Sequence, residues 1–369
     1  MSGRNSSPRE WKNNLLLLAV SFLLVAASGE VVSRLLLGAP LPWRYPQVRY
    51  RSDQNLVFSM VPNQRAFTAD KPLTISAHGL RGREIDYQRR PGVLRILFLG
   101  DSIVFGMGVR EEEVVTARVK TLLASRGIKA EVINTAVPSY NTEQEVDFLR
   151  LEGIRYEPDW VILGMCWNDI NDKSEVTVNS DGFLVSPGET ARGPSRKYLV
   201  PQQAYDLRNL LKRSRLVFAT TQGVRAVHEL LDPDPHTLFR ADVLKGKETP
   251  RIAEGWRHVG EALHDLREIS EAHQFHLLVV TFPIPIALEE SFPRSLYPAR
   301  VLNIAKEEGI AALDLEPPFR SVFHGHDSLF VPYDGDHPNA VGHDLAAREI
   351  VKFLLSDPSK ISPRSTSAE

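Results

Sequence analysis

The sequence predicts an α/β fold in which a parallel sheet is covered by helices on both faces, and three observations carry that expectation. From residue 92 onward short apolar runs alternate with helical stretches. The runs are continuously apolar instead of alternating, as in strands buried on both sides. The side chains best suited to chemistry, Ser102, Asn168 and His337, lie at or beyond the carboxyl ends of such runs, where sheets of this class bind ligands.

At the N-terminus, the apolar run from Leu15 to Ala27 follows a flank holding Arg4, Arg9 and Lys12 against Glu10. A basic flank before an apolar run means export or anchoring. Two structures fit: a signal peptide cut near Ala27, leaving a secreted protein, or an uncleaved helix that stays in the bilayer. Residues 29–37 continue at helical spacing with only Glu30 and Arg34 intruding, a pair four apart that can meet across one turn. The expected organisation is therefore a cytoplasmic flank and single-pass anchor over residues 1–38, with the catalytic body outside the cytoplasm. Residues 39–91 mix Pro, Arg and short apolar pieces, and read as a juxtamembrane segment with a few irregular strands packed on the main domain.

The main domain is expected over residues 92–355. Its strand candidates are Arg95–Leu99, Glu131–Asn134, Trp160–Gly164, His276–Phe282 and Ile310–Leu315. The helix candidates are Glu111–Arg126, Thr142–Glu152, Gln202–Leu231, Ile252–His273, Ala299–Glu308 and Asn339–Leu355. Gly127 and Gly309 suit left-handed helix ends, and Pro338 suits the first position of the last helix. Two inserts rich in turn residues, near 179–195 and 232–250, interrupt the rhythm and are expected as loops bordering the site. The polar tail, 356–369, is expected to fray.

Composition excludes some classes. At 43% hydrophobic residues over 369 positions the chain can bury a substantial core, and a net charge of −2 gives no basic footprint for nucleic acid. Cys166 is the single cysteine, so no intramolecular disulfide is available. Gly100, Gly106 and Gly108 lack dinucleotide spacing, and no phosphate-binding lysine motif follows them. His324 and His326 share a face of an extended segment, but no other ligand cluster accompanies them, so a polar loop is the preferred account. No cofactor and no metal are expected. Asp169 and Asp172 read as local capping residues, since their closeness suits one turn.

Gly100-Asp101-Ser102 leaves the first strand through a glycine turn and presents a hydroxyl at the sheet edge. A serine hydroxyl needs a base within hydrogen-bond reach, and His337, held out of helical geometry by Pro338, is the candidate. Asp334, three residues earlier, can fold back onto the other ring nitrogen; Asp336 is the rival acid, but its adjacency to His337 points it elsewhere. Acyl chemistry also needs oxyanion donors. The Asn168 side chain follows the Val161–Gly164 strand, and the turn over residues 134–140 offers the Ser139 backbone N–H, with the Ser102 N–H as a third donor.

Gly100-Asp101-Ser102, the turn at Asn134–Tyr140, Trp167-Asn168-Asp169 and Asp334-x-x-His337, in that order, resemble the four blocks of the SGNH or GDSL hydrolases, and the membrane-anchored bacterial members most of all. The resemblance spans about His78–Asp172 and His276–Leu355. It implies a flavodoxin-like three-layer α/β/α sandwich with a five-stranded parallel sheet, with Ser102 as nucleophile, His337 as general base, Asp334 as its orienter, and Ser102, Ser139 and Asn168 as the oxyanion hole. It also implies residence at the cell inner membrane with a periplasmic catalytic domain. Two positions depart from the pattern. Ser139 stands where glycine is usual, and so does Cys166, which either narrows the space beside the oxyanion hole or is a small buried hydrophobe. His78 and Arg81, in Ala77–Gly82, resemble a segment preceding the first strand in anchored members, with packing as the default role.

The expected function is an exported serine esterase acting on a small-molecule, lipid or carbohydrate ester, O-acetyl groups among them. The same acyl-enzyme would serve an O-acyltransferase acting on a cell-surface polysaccharide; having one membrane segment, it would then need a membrane partner to supply the acyl donor. A non-catalytic binding protein on this fold is the third reading, against which the joint presence of Ser102, Asn168, Asp334 and His337 argues.

Overall fold

The computed structural model describes residues 8–186 and 202–361. The chain opens with helix α1, Pro8–Leu36, whose portion Trp11–Leu36 is long and apolar enough to cross a membrane or to serve as a signal sequence. Residues expected as irregular strands instead form two antiparallel hairpins, β1 (Tyr50–Asp53) with β2 (Val57–Met60) and β3 (Gln64–Thr68) with β4 (Lys71–Ile75). One face of these strands is covered, Phe58 and Met60 being buried against the main body while Val57 and Ser59 are only partly so. Backbone carbonyls of the first hairpin dock there, Phe58 accepting from Tyr140 Oη at 2.7 Å and Leu56 from Gln144 Nε2 at 2.7 Å.

The central sheet is parallel and five-stranded. It comprises β5 (Leu94–Gly100), β6 (Ala130–Asn134), β7 (Trp160–Met165), and, after the short hairpin β8 (Thr177–Val178) and β9 (Leu184–Val185), β10 (His276–Thr281) and β11 (Ala311–Asp314). The spatial order is β11-β10-β7-β5-β6. Leu97 of β5 sits in register with Ile133 on one side and Val161 on the other. Every residue of β5 and β7 is buried, which is why both read as apolar runs, interrupted in β5 only by Arg95, whose guanidinium pairs with Glu131.

The helices are α2 (Ser102–Phe105), α3 (Val115–Ala124), α4 (Thr142–Leu151), α5 (Gln202–Arg213), α6 (Arg215–Leu231), α7 (Pro235–Leu244), α8 (Pro250–His273), α9 (Pro285–Leu288), α10 (Tyr297–Glu307), α11 (Glu316–Val322), α12 (His326–Leu329) and α13 (Ala340–Leu355). Helices α3 and α13 pack on each other, and α8 packs on α4 and α10, giving layers on the sheet. The result is the three-layer α/β/α sandwich.

Four local expectations are corrected. The helix expected over Gln202–Leu231 breaks at Ser214, whose hydroxyl accepts from the Val217 N–H and so starts a second helix. The insert near 232–250 is mostly helical: Asp234 caps α7 and Pro235 occupies its first turn, so the Asp-Pro pair reads equally as a loop or a helix start. Pro338 precedes the last helix without entering it, because Asn339 takes the cap and accepts from the N–H groups of Val341 and Gly342. The start of the expected tail is docked: Ile361 is buried, and the Lys360 carbonyl accepts from Trp160 Nε1 at 2.9 Å. Of the insert near 179–195, Asn179–Val185 lies in the β8–β9 hairpin, and the part beyond residue 186 is outside the described residues.

Candidate active site

Strand β5 delivers Gly100 to the sheet's carboxyl edge, where a side chain would overlap Val104, so the turn closes tightly only with glycine there. Asp101 then caps α2, its Oδ1 accepting from the Ile103 N–H at 2.8 Å. Ser102 is the first residue of that helix. The far end of α2 is fixed from outside: the buried Arg81 guanidinium donates from Nη1 to the carbonyls of Phe105 and Gly106 and from Nη2 to that of Val109. Burial lowers the Arg81 pKa to about 10, which leaves it charged at neutral pH.

His337 arrives from the loop before α13. Its Nε2 lies 2.8 Å from Ser102 Oγ, and its Nδ1 lies 2.7 Å from Asp334 Oδ1. The same carboxylate oxygen accepts from the backbone N–H groups of Asp336, at 3.0 Å, and His337, at 2.9 Å, so Asp334 is locked by its own loop. A carboxylate at Nδ1 holds the ring proton there and leaves Nε2 as an acceptor for the Ser102 hydroxyl. Burial works against a charged His337 ring, but the hydrogen bond and charge of Asp334, with Asp336 and Asp101 nearby, outweigh it and raise its pKa. Burial likewise opposes ionisation of Asp334, yet the His337 contact and the two N–H groups hold its pKa at about 2.

Asp336, the rival acid, faces away from the ring. Its Oδ1 accepts from Arg240 Nη1 at 3.2 Å and from Trp167 Nε1 at 3.3 Å. Asn168 stands in a single turn after β7 and donates from Nδ2 to Asp101 Oδ2 at 2.9 Å, which fixes its amide beside Ser102 and leaves its second N–H hydrogen for another acceptor. Burial raises the Asp101 pKa, opposed by the Asn168 and Ile103 hydrogen bonds.

The 134–140 turn is sewn to the end of β5, Thr135 N donating to the Phe98 carbonyl and Val137 N to that of Gly100, each at 3.0 Å. Within it Ser139 has φ 70°, the left-handed conformation that glycine adopts freely and an L-residue adopts at a cost of about 1 kcal/mol. Ser139 therefore keeps the backbone geometry of a glycine. Cys166 is fully buried, and burial pushes its thiol pKa well up, as for a small hydrophobe.

Three contributions escaped the sequence reading. Arg81 is one, and its neighbour His78 instead packs, stacking on Tyr87 at 4.3 Å and meeting Tyr156 Oη at 2.9 Å. Asp101, read only as part of a turn, is the partner of Asn168. Helix α7 is the third: His236 packs edge-on to Trp167 at 4.9 Å, Phe239 lies 6.4 Å from the same ring, and Arg240 sits over it at 5.9 Å while pairing with Asp336. The insert thus packs on Trp167 and Asp336, the neighbours of Asn168 and His337. Asp169 accepts from the Cys166 N–H and Asp172 from the Ser174 N–H, both capping contacts. His326 Nε2 hydrogen-bonds the Asp334 carbonyl, supporting that loop; among the described residues no group of His, Cys, Asp and Glu could hold a metal.

The chain is similar in structure to TesA (TM-score 0.42, 13% identity, 71% of this chain and 98% of that one). It is also similar to Axe2, an acetylxylan esterase from Geobacillus stearothermophilus (TM-score 0.40, 16% identity, 76% and 100%). A lipase/acylhydrolase from Enterococcus faecalis gives a TM-score of 0.39 at 16% identity, covering 72% and 96%. No curated protein matches the sequence. The profile of the GDSL-like lipase/acylhydrolase family matches residues 98–345, a stretch that runs from the end of β5 into α13 and holds Ser102, Asn168, Asp334 and His337. The chain therefore belongs to the GDSL-like lipase/acylhydrolase family.

Proposed function

We propose that this family member is a serine esterase held at the outer face of a membrane by α1, cleaving an acyl ester such as an O-acetyl group on carbohydrate or a lipid ester. The observation that carries the reading is the unbroken hydrogen-bonded chain from Ser102 Oγ through both nitrogens of His337 to Asp334. In this reading Ser102 Oγ attacks the ester carbonyl carbon while its proton passes to His337 Nε2. Asp334 stabilises the imidazolium, and the N–H groups of Ser102 and Ser139 with Asn168 Nδ2 stabilise the oxyanion. The imidazolium returns its proton to the departing alkoxide, leaving an acyl-Ser102 ester. Water then enters and gives a proton to Nε2 as its oxygen attacks the acyl carbon; the bond from that carbon to Ser102 Oγ breaks, Nε2 returns the proton to Oγ, and the acid leaves.

The test uses the detergent-solubilised full chain with aryl acetates and a fluorophosphonate. Turnover together with one phosphonyl adduct on the Ser102 peptide is expected; a labelled peptide elsewhere, or no turnover of short or long esters, overturns the assignment.

The acid limb of kcat/KM is also predictable. The base must be neutral, its neutral fraction grows as pH rises through its folded pKa, and that pKa is raised. The limb therefore lies on the alkaline side of the usual histidine value of about 6.5. Asp334→Asn removes the charge responsible and is expected to move the limb to lower pH while reducing the plateau. A limb that stays in place would show that Asp334 does not set the His337 titration.

A further inference from the structure

Helices α1 and α6 are joined at one level. Glu30 of α1 accepts from Ser214 Oγ at 2.8 Å and from the backbone N–H groups of Arg215 and Leu216 at 3.1 and 3.0 Å. Arg34 Nη2 donates to the Arg213 carbonyl at 3.2 Å, and Gly29 leaves room for Leu216, whose Cδ1 would lie 3.2 Å from a Cβ added there. The anchor's own carboxylate thus satisfies the otherwise free N–H groups that begin α6. From Trp11 to Gly29, at 1.5 Å per residue, α1 extends about 28 Å, close to the roughly 30 Å of a bilayer's hydrocarbon core. Glu30 then stands at the edge of that core, and the first turn of α6 is held beside it.

Beyond that point α6 has two unlike faces. Inward, Phe218 packs edge-on against Tyr333 at 4.5 Å, and Thr221 borders a cavity of 630 Å³ shared with Leu41, Trp43 and Val331. Outward, no described residue covers Val224, Val227, Leu230 and Leu231, which are 66, 57, 81 and 79% exposed. Four large apolar side chains within two turns form a contiguous patch of the sort that marks a contact surface. Arg225 borders the same inward cavity as Thr221, on the side of α6 opposite these four residues. A helix with one apolar and one polar face, whose first turn is tied to the end of a span, has the chemistry of a helix lying in the phospholipid headgroup layer.

We propose that α6 is an interfacial helix: Val224, Val227, Leu230 and Leu231 insert into the outer leaflet, giving the protein a second bilayer contact beside its span. The inference rests on α1 being an uncleaved span. Because α7 begins four residues after Leu231, the contact lies next to the helix that packs on Trp167 and Asp336.

The test places a polarity-sensitive NBD label at Val227→Cys, Leu18→Cys or Lys352→Cys in the full chain; wild type, whose Cys166 is buried, corrects for background. Each is reconstituted in nanodiscs of phosphatidylethanolamine and phosphatidylglycerol, with and without nitroxide-bearing lipid. The expected result is a blue-shifted Val227 signal, quenched at least about twofold by nitroxide lipid and shielded from aqueous iodide, with Lys352 behaving oppositely. A Val227 label as open to iodide as Lys352, with Leu18 quenched by lipid, overturns the interfacial helix alone. If Leu18 also escapes lipid quenching, the span reading fails and the proposal with it. A Val227 label shielded from iodide but untouched by nitroxide lipid means a protein covers α6, which overturns the bilayer as its occupant.

Discussion

Ser102→Ala and His337→Ala are each expected to lower kcat/KM for an aryl acetate by about 10⁴-fold or more, and the double variant to lose little beyond either one. The shared loss follows from the geometry. Ser102 Oγ and His337 Nε2 are 2.8 Å apart, and as the proposed nucleophile and base they form one unit in which neither would function without the other. Stability should change by only about 1 kcal/mol for Ser102→Ala, because the hydroxyl's contacts to His337 and, at 3.4 Å, to Asp101 are lost at a partly open site while Asp334 still holds the ring. Kinetics on the three variants, with thermal melts alongside, check both statements. Multiplicative losses in the double variant would mean that the two residues act independently.

Arg81→Met is expected to be the most destabilising single change, by about 3 to 5 kcal/mol, although Arg81 touches no reacting atom. Its guanidinium is buried and serves the carbonyls of Phe105, Gly106 and Val109 at the end of α2, with Cζ 4.9 Å from the centre of the Phe105 ring. Methionine fills much of the volume but leaves those acceptors inside the protein without donors. Since α2 begins at Ser102, the loss should also appear as a fall in kcat larger than any rise in KM. Arg81→Lys restores a charge without the planar fork and should recover only part of the stability. Urea midpoints and steady-state kinetics at a temperature where all variants are folded test this; a methionine variant as stable as wild type would show that water replaces the guanidinium.

Much of the fold was legible because burial on both faces leaves a simple trace: Ile96–Leu99 and Trp160–Gly164 are apolar without interruption, and both lie in central strands. The association of Ser102, Asp334 and His337 was legible for a different reason. A loop that places an acid three residues before a histidine has few ways to fold, and Asp334 closing on Nδ1 is one of them. What stayed hidden depends on partners distant in sequence. Arg81 carries no local sign that it will reach Phe105, 24 residues away. Asp101 and Asn168 meet only because β5 and β7 are neighbours in the sheet. Helix α7 was misread as a loop because Asp234-Pro235 starts a helix with the residues that also make turns. The break at Ser214 owes its position partly to Glu30, 184 residues earlier.

The way α7 meets the site has an evolutionary consequence. The proposed nucleophile, base and acid are carried by the sheet edge and the loop before α13, while α7 sets His236, Phe239 and Arg240 on their neighbours Trp167 and Asp336. On the proposed reading, the reacting groups and the helix beside them are thus written in separable stretches of sequence. Residues 232–250 could drift, lengthen or be exchanged between relatives, and a descendant would inherit the same acyl chemistry with a different appetite.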